Sequence, residues 1–312
     1  MLGGFKTILV AIKKGFSLLK RKDPLILSSS TAFFATFSIS PIILLLLYLS
    51  SLYFKSERIS NQVFRTLGGT IGSETAATIE SIVNNFRSLE KNWIVTVLGS
   101  VFFIFVATTL LGVIKFAIQK VWSLRNKAQL KLTYHSRERG IQLMLILFTG
   151  FLFGLSLFVD TSMAMSLDYL RQSLSPPVIE FIRVLNAVFS VIVVSVWFMI
   201  IFKYLPDANI SWDTAFTGGF LTGILFSAGK FALGKILLHS RIETVFGASA
   251  SIALLLLFIF YSSFILYYGA AFTHAYGEMV DAHICAGKYA EEYEERSVGA
   301  GNRDQNRNPS LT

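Results

Sequence analysis

The sequence predicts an all-α, polytopic membrane protein with six transmembrane helices, and three observations predict it. Of the 312 residues, 53% are hydrophobic and only 15% are charged. Typical soluble domains carry roughly 25% charged residues, and a chain this poor in charge could not cover a water-facing surface. The charges are also gathered into clusters, which leaves charge-free windows at 24–54, 92–114, 140–159, 184–202 and 244–277. A sixth window, 214–229, ends at Lys230 and continues apolar to Leu238; a spanning helix needs ~20 such residues. Finally, long runs of Leu, Phe and small residues satisfy their backbone in lipid as helices, whereas a barrel would show shorter alternating strands.

The spans are placed at about 26–53, 93–115, 140–160, 184–203, 214–238 and 246–274, within a membrane domain of residues 25–277. Lys and Arg set their orientation. With the N-terminus inside, the inside segments hold 18 of the 28 cations and the outside segments 8, the other two being Lys230 and Lys235. This excess places both termini in the cytoplasm. It also explains the net charge of +9 as a topology signal, so no nucleic-acid partner is expected. The single cysteine, Cys285, excludes an internal disulfide and a Cys-based zinc site. No small-residue cleavage site follows the first apolar run, so no signal peptide is expected.

Element by element, residues 1–24 form a basic amphipathic segment. Phe5, Ile8, Leu9, Ile12, Phe16 and Leu19 recur at helical spacing opposite Lys6, Lys13, Lys14 and Lys20, which suits either the cytoplasmic membrane face or an extension of the first span. In that span Pro41 removes a backbone donor and is expected to kink the helix. Thr31 and Ser38 share a face before the kink, either lining a hydrophilic cleft or binding a neighbouring helix. The periplasmic loop 55–92 carries an amphipathic helix at about 73–90, with Ile79, Ile82, Val83, Phe86 and Leu89 on one side. The basic stretch Lys115–Arg139 reads as a cytoplasmic loop in contact with anionic lipid. Residues 278–312 form a polar cytoplasmic tail, acidic and then rich in Asn, Arg and Gly, and expected to be disordered.

Lys230 is the most informative position. Ala215, Gly219, Gly223 and Ser227 place a small residue every fourth position, a close-packing stripe for helices in lipid. At ~100° per residue, Lys230 lies about 20° from Gly223. It is therefore expected to look into the bundle, where a charge costs roughly 2.5–3.5 kcal/mol and marks a cavity, a pathway or a pair; the alternative is that it snorkels to the outer headgroups. Lys235, near the helix end, is expected to snorkel. Asp160 is the first candidate for an ion-pair partner of Lys230. Without a paired acid, the lysine would instead meet an anionic ligand such as a lipid phosphate.

Several stretches together resemble the YihY/BrkB family of bacterial inner-membrane proteins, formerly misannotated as ribonuclease BN. "TAFFATFSISP" (Ala32, Phe33, Phe34, Ser38, Pro41) is similar to the family's first span, and "AIQKVW" to its Asn-x-Ile-Trp segment, with Gln119 in place of Asn and Trp122 kept. "FKYLPDANISWDTAFTGG" resembles the family's turn between the fourth and fifth spans, in which Lys203, Pro206, Trp212 and Gly218 match in type or identity. Lys230 falls where many members carry a Lys. Gly247, Gly269 and Ala270 match the last span, but Phe246 replaces a usual Tyr, Phe260 stands near the usual Trp, and Ala271 stands where a Glu is common. The resemblance covers roughly residues 25–277. It implies six helices, an inner-membrane location, a link to envelope integrity and a role in moving lipids toward the outer membrane. It also implies a structural turn at Lys203, Pro206 and Trp212.

Nothing in the sequence calls for catalysis, a cofactor or a metal. His135, His239, His274 and His283 are scattered without ligand spacing, and no Walker loop, HExxH or GxSxG is present. The stretch Lys115–Arg139 has charge for RNA but only Glu138 and His135 for acid–base work, so a ribonuclease is not expected. Three classes remain open. In the first, a lipid-handling protein, an anionic headgroup meets Lys230, Gly219, Gly223 and Ser227 together with Thr31, Ser38 and Pro41, and a periplasmic envelope protein is a partner through loop 55–92. The second is a small-solute transporter or channel, and the third a non-transporting envelope scaffold.

Overall fold

The computed structural model describes residues 2–53, 64–65, 76–77, 80–81, 93–127, 132–170, 176–239 and 250–293. Among the described residues the ordered elements follow as α1 (Leu2–Lys20), α2 (Pro24–Tyr53), α3 (Trp93–Val121), β1 (Leu124–Asn126), α4 (Leu132–Leu170), α5 (Pro176–Tyr204), β2 (Ala208–Asn209), α6 (Trp212–His239), α7 (Ala250–Met279), β3 (Cys285–Ala286) and β4 (Ala290–Glu292). Helices α2 to α7 coincide with the six expected spans to within about ten residues at each end. By length and composition, Ser136–Ser156, Pro177–Tyr204, Trp212–Leu233 and Ala253–Met279 are long and apolar enough to cross a membrane, among the described residues. Apart from fragments at 76–77 and 80–81, the loop helix expected at 73–90 lies outside the described residues, as do residues 294–312.

Local chemistry sets the helix ends. Pro24 and Pro176 open α2 and α5, where a missing N–H costs nothing. Asp23, at φ 52°, turns the chain from α1 and offers its carbonyl to the N–H groups of Ile26 and Leu27. Ser211 caps α6, its hydroxyl oxygen accepting from the Thr214 N–H at 3.2 Å. At the end of α3, Ser123 adopts φ 56°, and the Trp122 indole N–H donates to the Ala270 carbonyl at 2.8 Å. Helix α2 continues unbroken past Pro41.

The helices form a ring with α7 as its hub. α1, α2, α3 and α6 all pack on α7; α6 pairs with α5, α5 touches α4, α4 touches α3, and α3 returns to α2. The α5–α6 contact is made backbone to backbone: a Cβ on Gly219 would lie 2.6 Å from the Met199 nitrogen, and one on Gly223 would lie 2.8 Å from the Ser195 Cα.

Helix α1 packs against α7 through its small residues. Ala11, Gly15 and Leu19 form its buried line, while Leu9 and Phe16 from the expected apolar face are exposed. The reason is steric. A Cβ on Gly15 would lie 2.8 Å from the Phe272 Cα, so the small residues, not the bulky ones, bring α1 against α7.

Burial is concentrated at the end of the ring that carries Lys22, Lys115 and Lys203, here termed the basic end. The largest fully buried side chains, Tyr267, Phe198, Phe202 and Phe272, all lie in its half of α5 and α7. Toward the far end no residue from Pro177 to Val194 in α5, or from Ile224 to Leu233 in α6, is buried.

The tail is not wholly disordered, contrary to expectation. β3 pairs antiparallel with β2, joining Cys285 to Asn209, and β4 pairs antiparallel with β1, joining Glu292 to Leu124. These backbone ladders, with the Arg125–Glu291 pair at 2.9 Å, satisfy polar groups that a solvated tail would leave to water. They stitch the C-terminal segment across the basic ends of α3 and α5. The stretch Lys115–Arg139 is likewise not a loop: it is the end of α3, β1 and the start of α4, with 128–131 outside the described residues.

Candidate functional site

The residues singled out from sequence fall into two groups in space. Gly219 and Gly223 are buried in the α5–α6 contact and Ser227 is half-buried, but Lys230 is exposed. It is not enclosed by the bundle as expected, because the buried part of the stripe ends at Gly223. Among the described residues Lys230 has no hydrogen bond or ion pair. Asp160 lies in α4, which α5 separates from α6 in the ring; its side chain is outside the described residues, as is that of Pro41.

Thr31 and Ser38 are buried at helix contacts. The Thr31 hydroxyl donates to the Leu27 carbonyl at 3.0 Å and makes a short hydrogen bond with the Tyr267 hydroxyl of α7. Ser38 donates to the Phe34 carbonyl at 2.7 Å. The Thr31 hydroxyl joins α2 to α7, whereas the Ser38 hydroxyl bonds back onto its own helix.

Lys203, Pro206 and Trp212 meet in the α5–α6 turn. The Lys203 ammonium donates to the Ile210 carbonyl and lies 5.1 Å from the centre of the Trp212 ring. Pro206 is buried and Trp212 is exposed.

This turn forms one wall of a pocket of about 230 Å³ at the basic end, between α3, α4 and the C-terminal segment. Lys115 and Glu138 form a 2.9 Å ion pair in another wall, with side-chain exposures of 6% and 21%. Lys115 also donates to the Tyr134 hydroxyl at 2.6 Å, and Gln119 donates to Asn126 Oδ1 at 3.2 Å. Burial pushes the Tyr134 phenol above its ordinary pKa, against the pull of the Lys115 ammonium, so it stays a neutral partner. Asp207 holds the tail in place: its carbonyl accepts from the Gly287 N–H at 2.9 Å and its Oδ2 from the Tyr289 N–H at 3.0 Å.

Sequence reasoning did not find this pocket. The available signal was the spacing Tyr134–Glu138, which puts a phenol and a carboxylate on one helix face, facing a chain segment that begins with Lys115. Among the described residues no cluster of three His, Cys, Asp or Glu could hold a metal ion.

A ring of long helices, four of them long and apolar enough to cross a membrane among the described residues, defines a polytopic helical membrane protein. The chain belongs to the family described as Virulence factor BrkB, whose model matches residues 16–293. It is similar to a UPF0761 membrane protein of Saccharophagus degradans, 21% identical over 259 residues, covering 82% of this chain and 57% of the relative. A UPF0761 membrane protein of Pseudomonas paraeruginosa is 26% identical over 220 residues, covering 69% of this chain and 49% of the relative. One from Paraburkholderia xenovorans is 26% identical over 253 residues, covering 79% and 52%. The chain thus spans about half the length of the curated relatives it matches. No solved structure matches it.

Proposed function

We propose that this is an inner-membrane protein that handles lipids without a chemical step, and that Lys230 meets an anionic headgroup. The observation that carries the reading is an ammonium exposed on an apolar helix, with no partner among the described residues. A lone charge at membrane depth is costly, and a lipid phosphate would offset that cost from the side on which the lysine is open. The exposed far half of α5, with Phe181, Val184 and Val188, supplies apolar surface on which acyl chains could lie. A small-solute channel is favoured less, since the buried Thr31 and Ser38 hydroxyls bond to their own helix and, for Thr31, to Tyr267. A periplasmic partner reached through loop 55–92 belongs to the same proposal.

Native mass spectrometry of the protein extracted with its lipids tests this reading. The parent chain is expected to carry anionic lipid that Lys230→Ala loses; equal retention by the variant overturns the role given to Lys230.

A further inference from the structure

The basic-end pocket has features that a structural joint does not require. Four cations line it, Lys115, Arg137, Lys203 and Lys288, against two acids, Glu138 and Asp207. The acids are engaged: Glu138 pairs with Lys115, and Asp207 receives the Tyr289 N–H. Arg137, Lys203 and Lys288 have no carboxylate partner among the described residues; they lie against aromatic rings instead, with Arg137 5.4 Å from the Tyr289 ring centre and Lys288 5.5 Å from the same centre. The pocket therefore retains a net positive field.

Gln142 supplies a second, independent observation. It lines the pocket, is only 3% exposed, and its Oε1 is buried with no hydrogen-bond partner. An unmet buried acceptor costs roughly 1–3 kcal/mol, and buried polar groups are nearly always satisfied. Ile141 beside it is a lining residue that could have been matched by an apolar neighbour at no such cost. As the side chain stands this oxygen is out of a water's reach, so an occupant meets it only when the amide rotates toward the pocket.

We propose that this pocket binds a phosphate-bearing group of small size, a phosphomonoester or the headgroup phosphate of a lipid. Arg137, Lys203 and Lys288 neutralise the phosphate, and the Gln142 amide, rotated into the pocket, accepts from a phosphate or glycerol hydroxyl. The size fits the class. The volume of about 230 Å³ exceeds that of a single water (~30 Å³) several-fold and lies below the roughly 300 Å³ at which sites for drug-sized ligands begin, which suits a small phosphate-bearing group. The site uses none of the residues assigned to Lys230's contact and is tested separately from it.

The test uses the full chain in dodecyl maltoside, which contains no phosphate. Glycerol 3-phosphate is titrated calorimetrically, with glycerol as the uncharged control, and a short-chain phosphatidic acid is titrated in a second arm. Saturable binding of one or both is expected. Glycerol 3-phosphate binding assigns a soluble phosphomonoester, and binding of the lipid alone assigns a headgroup. Arg137→Ala and Lys288→Ala remove exposed side chains and are expected to fold, each weakening binding at least about tenfold, as is Gln142→Met. Lys230→Ala should retain the parent affinity. No binding in either arm, or unchanged affinity in the folded Arg137 and Lys288 variants, overturns the proposal.

Discussion

The Lys115–Glu138 pair shows how a single residue depends on its setting. Lys115 ends a long apolar run, and from the sequence it looks like the first cation of a loop. In the structure it is buried against Tyr134 and Glu138. Removing one member of a buried pair leaves the other charge uncompensated, at about 3–5 kcal/mol, whereas replacing both with apolar groups is often tolerated. Glu138→Ala is therefore expected to lower the thermal midpoint sharply in detergent. The double variant Lys115→Met with Glu138→Leu should recover most of the loss. A double variant as unstable as the single one would show that the pair is not the source.

At the scale of elements, the glycines of α6 carry the sharpest consequence. A valine at position 223 would drive its Cβ into the Ser195 hydroxyl, with the Ser195 Cα only 2.8 Å away behind it. Overpacking of this kind costs about 1–3 kcal/mol, so Gly223→Val should lower the midpoint measurably. At Gly154 in α4 an added Cβ would meet nothing within 4 Å, and Gly154→Ala should be neutral or slightly stabilising, within about 1 kcal/mol. Equal effects at the two sites would argue against a close α5–α6 contact.

The same elements show what sequence can and cannot reveal. Helix positions were legible because a charge-free run of ~20 residues has few alternatives in lipid. The four-residue stripe on α6 correctly marked a packed face at Gly219 and Gly223, but not where the burial ends, and Lys230 lies beyond that point. The strands were illegible: two or three residues, such as Ala208–Asn209, show no alternation, and their partners lie far along the chain. Gln142 was illegible for a related reason, since only the fold reveals that its carbonyl is left unmet.

For the whole molecule, the question is which side of the bilayer holds the basic end. Cys285 is the protein's single cysteine and is exposed, so it is a natural reporter in β3. With both termini in the cytoplasm, a membrane-impermeant maleimide should leave it unmodified in intact cells and label it after permeabilisation. Labelling of intact cells would invert the orientation and place the cationic pocket on the outer side.

The antiparallel pairing of β1 with β4 also imposes a timetable. Arg125 and Glu291 are 166 positions apart, and at roughly 5–20 residues per second a ribosome needs about 8–33 s to make the stretch between them. The last four helices are made within that interval, and until it ends the cationic pocket lacks the wall that the C-terminal segment supplies. A nascent or prematurely ended chain would then be inserted yet ligand-incompetent, with anion binding as the last property the protein acquires.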